Sequence, residues 1–210
     1  MTGPAKRHDL VFVEPDAWHS LLMARPELVV HHLVSQWADN SWPLIRRRPL
    51  PGESGIALGL PLPPMAGRQR LSINLPAAAI RASQSPPLLA DCAEVAPPDW
   101  TSVIAQLLRV DDSVRCFGSL AWQQMTGLAY LRPQSDLDLL WTVRDVTHAM
   151  RLSQRIAAVA GTTLLRLDGE LLLPSGDAVQ WREWSSGAAQ LLVKSITGIG
   201  MTAREVLSYD

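Results

Sequence analysis

Cysteine is scarce in this chain, with two among 210 residues. Cys92 and Cys116 share no metal-type spacing, and two thiols in a chain this long make no disulfide framework. A zinc module and a cross-linked secreted scaffold are therefore both excluded. Long apolar runs are missing too: no segment approaches the roughly 20 residues a membrane helix requires. Met1 to Asp9 carries Lys6 and Arg7 with no apolar stretch behind them, so no secretory signal is expected and a cytoplasmic address follows. Charge of one sign is also lacking. A net charge of −1 argues against a nonspecific nucleic-acid coat, because phosphate binding of that kind needs a basic surplus. Neither a membrane nor a nucleic-acid partner is expected. The remainder is ordinary for a folded protein, with 47% hydrophobic and 19% charged residues in a length that suits one domain or two small ones.

Proline divides the chain. Pro86-Pro87 and Pro97-Pro98 fall in a stretch without helical or strand period, which reads as a linker over 86–100 or an extended crossover. Before it, residues 1–85 read as a small β-rich domain. Strands are expected over Asp9 to Val13, Trp42 to Arg48, Gly55 to Leu60 and Arg70 to Leu75, with a short helix after the Glu14-Pro15-Asp16 turn. After the linker, residues 101–210 alternate strand and helix. A helix through Ile104 and Leu107 precedes a strand at Val114 to Phe117, and Ser119 opens a helix stopped by Gly127. Asp136 to Val143 is the next strand, and Asp145 caps a helix that runs to Gly161. Thr163 to Leu173 and Ala178 to Trp181 are strands on either side of a Pro174-Ser175-Gly176-Asp177 turn, and Ser186 opens a last helix through Leu191 and Leu192. The fold class is α+β, and no internal repeat is present.

Two pieces carry chemistry. In Phe117-Gly118-Ser119-Leu120 a strand gives way to a helix through Gly-Ser. Glycine permits a tight turn and a close ligand approach, and the new helix presents free N–H groups and the positive end of its dipole to phosphate oxygens. Ser119 adds a hydroxyl, although Ser at such a place also serves as a plain helix cap. In Ser135-Asp136-Leu137-Asp138-Leu139-Leu140-Trp141 the two carboxylates sit at i and i+2 of a strand, so they share a face while Leu137, Leu139 and Trp141 fill the other. Carboxylates placed side by side on a half-buried strand repel one another and lose solvation, which calls for a cation, whereas on a solvated edge strand the same pair simply faces water. Mg²⁺ (or Mn²⁺) suits Asp136 and Asp138, being a hard ion often shared between carboxylates and substrate phosphates.

A Gly-Ser turn followed by Asp-x-Asp on the next strand resembles the nucleotidyltransferase domain of the DNA polymerase β superfamily. That resemblance implies a mixed sheet with helices and a third acidic residue on a later strand. Asp168 and Glu170, in Arg166-Leu167-Asp168-Gly169-Glu170-Leu171, are the candidates, with Asp168 preferred. A closer resemblance runs over nearly the whole chain. It rests on Arg7-His8-Asp9-Leu10-Val11, Pro43-Leu44-Ile45-Arg46-Arg47-Arg48, Gly59-Leu60-Pro61-Leu62-Pro63, the two pieces above, and Trp181-Arg182-Glu183. Together these resemble the malonate decarboxylase holo-acyl-carrier-protein synthase family, also called phosphoribosyl-dephospho-CoA transferase.

The resemblance implies transfer of a prosthetic group from 2′-(5″-triphosphoribosyl)-3′-dephospho-CoA to a serine of the acyl carrier subunit of malonate decarboxylase, with release of diphosphate. In that reaction a cation on Asp136 and Asp138 would bridge the triphosphate, Gly118 and Ser119 would hold phosphates, and Asp168 would complete the metal site or take the hydroxyl proton. Arg46 and Arg47, with Arg48, Arg68 and Arg70, could hold CoA phosphates or an acidic carrier surface, and equally form a solvated strand edge. Lys194, read as late in the last helix, is a dipole partner or a phosphate ligand. The histidines at 8, 31, 32 and 148 have no metal-ligand spacing, and the tryptophans at 122, 141, 181 and 184 read as core. Two other functions stay open on the residues: a nucleotidyltransferase using an NTP on a small molecule, protein or RNA end, and an inactive protein of this fold that binds a carrier.

Overall fold

The computed structural model describes residues 6–208, so Met1 to Ala5, part of the stretch read above for a signal, lie outside the described residues. The chain divides into two compact units, Met1–Ser85 and Pro86–Asp210. It is an α+β protein with one sheet in each unit.

The first unit opens with β1 (Leu10–Val13), α1 (Pro15–Ala24) and α2 (His32–Asp39), then β2 (Leu44–Arg46), β3 (Ile56–Pro61), β4 (Arg70–Leu75) and β5 (Ile80–Gln84). Its strands form an antiparallel sheet in the order β4-β3-β2-β1-β5. Pro15 starts α1, where its missing N–H costs nothing. Trp18 and Leu21 of α1, and Leu33, Val34 and Trp37 of α2, are buried. The Trp37 indole N–H donates to the Pro43 carbonyl at 2.9 Å, so the largest side chain of α2 is buried with its one polar atom satisfied. The strands expected from sequence are present. The expectation missed α2 and β5: the apolar residues of α2 span barely two turns, and β5 has no fully buried residue to mark its face.

The second unit contains α3 (Leu89–Cys92), α4 (Thr101–Val110), β6 (Arg115–Phe117), α5 (Gly118–Thr126), β7 (Leu137–Thr142), α6 (Val146–Ala160), β8 (Leu167–Leu172), β9 (Ala178–Gln180), α7 (Trp181–Ser185), β10 (Gln190–Lys194) and β11 (Ile199–Ala203). Its mixed sheet runs β11-β10-β9-β8-β7-β6, with β7 and β8 parallel and every other pair antiparallel. The crossover between the parallel strands is α6, which Asp145 caps by accepting the His148 N–H at 2.7 Å. One sheet face, with Leu137, Leu139, Trp141, Leu167, Leu171, Val179 and Leu191 almost wholly buried, shares a core with α4, α5, α6 and α7. Gly169 belongs to that packing, since a Cβ there would lie 2.7 Å from the Trp141 ring.

Two expectations differ from the structure here. Segment 86–100, expected to be a linker, packs into the second unit. Leu89, Cys92 and Trp100 are buried in its core. The Cys116 N–H donates to the Pro87 carbonyl at 2.9 Å and the Leu89 N–H to the Val114 carbonyl at 2.9 Å, so the segment covers the outer edge of β6. Proline lacks a donor but keeps its carbonyl, and at an edge that is sufficient. The last helix expected from Ser186 is instead the β10–β11 hairpin. Leu191 and Val193 are buried while Gln190 is exposed, a period of two in a run too short for sequence to separate from a helical one.

Candidate active site

The strand ends decide where the chemistry-bearing residues meet. β6 runs antiparallel to β7, with Phe117 opposite Asp138, so the Gly118 turn leaves β6 beside the start of β7. β8 runs parallel to β7 with Asp138 opposite Asp168. Residues paired in this way project from the same sheet face. Gly118, Ser119, Asp136, Asp138 and Asp168 are therefore gathered at one end of the second sheet. Asp136, Asp138 and Asp168 are half-buried, on the face opposite the Leu137–Leu139–Trp141 core.

Gly118 has φ +67°, in the left-handed region, and a Cβ there would overlap the Asp138 carboxylate, 2.6 Å from its Cγ. The space sequence reasoning reserved for a ligand is taken by the carboxylate itself. Asp138 thus lies against the N-terminal end of α5, where the dipole favours negative charge. Ser119 is not the helix cap: Phe117 holds that position without a side-chain bond, and among the described residues no group bonds the half-buried Ser119 hydroxyl. The simple capping role is removed.

Asp168 accepts the Gly169 N–H at 2.9 Å and the Gln180 Nε2–H at 2.7 Å, both on Oδ1. Glu170, two residues on, is buried and paired with Lys194 at 2.9 Å. That contact occupies the competing carboxylate and accounts for Lys194, which stands on β10 and not near a helix end. Asp136 lies 3.5 Å from the Arg166 Nε. Gln180, Arg166 and Arg182 were not singled out as site residues from sequence. Arg166 had a legible signal, since it sits two positions before Asp168 and so shares its face.

The donor set is suited to a divalent cation of the Mg²⁺ type, being made of oxygen from Asp136 and Asp138 with Asp168 one strand away. Among the described residues no cluster of three His, Cys, Asp or Glu side chains is assembled to hold a metal by itself. Substrate phosphate oxygens would have to complete the shell, as they commonly do for Mg²⁺.

Arg46 and Arg47 belong to the first unit. The Arg47 guanidinium is committed: it bonds Glu53 at 2.7 and 2.5 Å, Asn74 at 3.0 Å and the Leu58 carbonyl at 3.1 Å. Arg46 pairs with Leu58 across β2 and β3 and is half-buried near Asp9, whose carboxyl burial pushes above its usual range. Arg68 and Arg70 are exposed. The Arg47 contact holds Glu53 down from 4.5 to about 2. A carboxyl with a folded pKa below its unfolded one contributes stability at neutral pH that is lost as pH falls from 4.5 toward 2. Glu53→Gln is expected to be less stable than the parent at pH 7, with the gap closing across that acid window. Thermal melts at a series of pH values check this, and a gap constant with pH would contradict it.

Cys116 and Cys92 are both buried, and the Cys116 thiol is pushed up by its hydrogen bond with Cys92 and by burial. Neither has the exposure of a nucleophile.

Comparison with known proteins covers nearly the whole chain. Residues 6–86 match the phosphoribosyl-dephospho-CoA transferase MdcG N-terminal domain and residues 88–205 the MdcG C-terminal domain. A phosphoribosyl-dephospho-CoA transferase of Bradyrhizobium diazoefficiens is 42% identical, over 97% of this chain and 96% of that protein. One from Xanthomonas campestris pv. campestris is 36% identical over 97% and 96%. One from Pseudomonas syringae pv. tomato is 27% identical over 86% and 88%. No solved structure matches. The chain is thus an α+β transferase. It belongs to the phosphoribosyl-dephospho-CoA transferase MdcG family.

Proposed function

We propose that this protein transfers the phosphoribosyl-dephospho-CoA group from triphosphoribosyl-dephospho-CoA to a serine of the malonate decarboxylase acyl carrier protein, releasing diphosphate. The observation that carries the reading is the pairing of Asp138 with Asp168 on parallel strands, with Gly118 giving up its side chain to the Asp138 carboxylate at the start of α5.

The chemistry follows from the donors. The serine Oγ of the carrier attacks the α-phosphorus, an O–P bond forms, and the bond from that phosphorus to the bridging oxygen of the β-phosphate breaks. Diphosphate leaves with the bonding electrons. The hydroxyl proton passes to a carboxylate, and Asp168 Oδ2 is suited to it because Oδ1 is occupied by Gln180 and Gly169. Ser119 and the N–H groups at the start of α5 donate to phosphate oxygens. A divalent cation held by Asp136 and Asp138 would, when bound, offset charge on the triphosphate and the departing diphosphate.

The test is intact-mass spectrometry of the apo carrier subunit incubated with the protein, Mg²⁺ and triphosphoribosyl-dephospho-CoA. The expected result is a gain of one prosthetic group per carrier, with one diphosphate released and no gain on a carrier whose acceptor serine is replaced by Ala. No gain with this precursor, together with nucleotidyl addition from an NTP, would favour the general nucleotidyltransferase reading. No covalent product in any combination would favour a carrier-binding protein without activity.

A further inference from the structure

β9 ends at Gln180 and turns directly into α7, so the Leu167 carbonyl at the start of β8 lies past the last β9 ladder pair, Glu170 with Gln180. Two side chains of α7 supply its donors. The Trp181 indole N–H reaches it at 3.2 Å and the Arg182 Nη2–H at 3.1 Å. The Arg182 guanidinium also stacks over the Trp181 ring, 4.5 Å from its centroid. The backbone N–H of Arg182 donates to Gln180 Oε1 at 2.6 Å, and Gln180 in turn donates to Asp168 Oδ1. One network thus ties Arg182 to the carboxylate proposed to take the proton.

We propose that Arg182 and Arg166 form the clamp for the polyphosphate end of the substrate. This rests on the transferase reading above. Charge is the first reason. Asp136, Asp138 and Asp168 put three carboxylates on one end of the sheet, and a triphosphate approaching them meets like charge. Fixed cations are needed beside any bound metal ion. Arg166, on the same strand face as Asp168, is 69% exposed in its side chain and 3.5 Å from Asp136. Preorganisation is the second reason. Arg182 is exposed, yet the carbonyl, the ring and the backbone bond fix its position, so little rotamer freedom remains to be lost on binding. Its fork-shaped donor array matches phosphate oxygens.

The experiment measures binding of inorganic tripolyphosphate in Mg²⁺ buffer by calorimetry, for the parent chain, Arg182→Gln, Arg182→Lys and Arg166→Gln, with dephospho-CoA as the second probe. Arg182→Gln is expected to weaken tripolyphosphate on the order of tenfold or more while leaving dephospho-CoA unchanged. Arg182→Lys should recover part of the loss, and Arg166→Gln should show a smaller defect. Tripolyphosphate binding equal to the parent's in Arg182→Gln overturns the clamp. So does an equal loss for both probes with a lowered melting temperature, which would mark a structural role. The carrier assay keeps the two readings apart. A parent chain that binds tripolyphosphate through Arg182 but never modifies the carrier keeps the clamp and removes the proposed transfer. A chain that modifies the carrier equally well as Arg182→Gln keeps the transfer and removes the clamp.

Discussion

Asp138→Asn is expected to lower the rate of carrier modification on the order of 10²-fold or more, with the fold intact. Asn has the shape of Asp, so the packing against Gly118 and the register with Asp168 survive, and the charge alone is lost. Asp136→Asn should act in the same direction less severely, because Asp136 lies at the mouth of the strand and shares its charge with Arg166. The measurement is the initial rate of mass gain on the carrier, beside a thermal melt. A chelator should remove the parent activity, and Mg²⁺ or Mn²⁺ should restore it. Full turnover of Asp138→Asn, or full parent activity in excess chelator, would sink the assignment of this carboxylate as a cation ligand.

Gly118→Ala is expected to damage both stability and activity, and for a reason sequence could not supply. The φ of +67° costs a non-glycine residue about 1–3 kcal/mol, and the new methyl must also displace the Asp138 carboxylate. Activity should fall about as far as in Asp138→Asn, since the same group is moved out of place. The diagnostic is a double-mutant cycle read by melting temperature. In an Asp138→Ala background the overlap with the carboxylate is gone and only a tight 3.0 Å approach to Cβ remains, so Gly118→Ala should cost measurably less. Equal costs in both backgrounds would mean that the strain is entirely in the backbone. Wild-type activity in Gly118→Ala would show that Asp138 has room to move.

Much of the second unit was legible because its elements carry their own punctuation. Gly127 at φ +70° stops α5, Asp145 caps α6, and alternate burial along Leu137, Leu139 and Trp141 fixes the face of β7. The α+β class and the Gly-Ser and Asp-x-Asp pieces followed from such local signals. Residues 186–203 were not legible: Leu191-Leu192-Val193 suits a helix or a strand equally, and only pairing with β9 and β11 selects the strand. Segment 86–100 was misjudged in the same way, because proline content describes the backbone and not whether Leu89, Cys92 and Trp100 find a core.

By itself, then, the sequence determined the local pieces: a glycine where a strand turns into a helix, two carboxylates on one strand face, and a third acidic candidate further on. Periodicity and turn chemistry act over a few residues, and these pieces depend on nothing longer. Tertiary structure distinguishes the two acidic candidates, since Asp168 pairs in register with Asp138 while Glu170 is engaged by Lys194 24 residues on. It also decided that Arg47 serves Glu53, that Gly118 makes room for a carboxylate, and that Arg182 bonds the Leu167 carbonyl. Each of these is a contact between segments far apart in the chain. No local spacing encodes such a contact; only the register and order of the strands do.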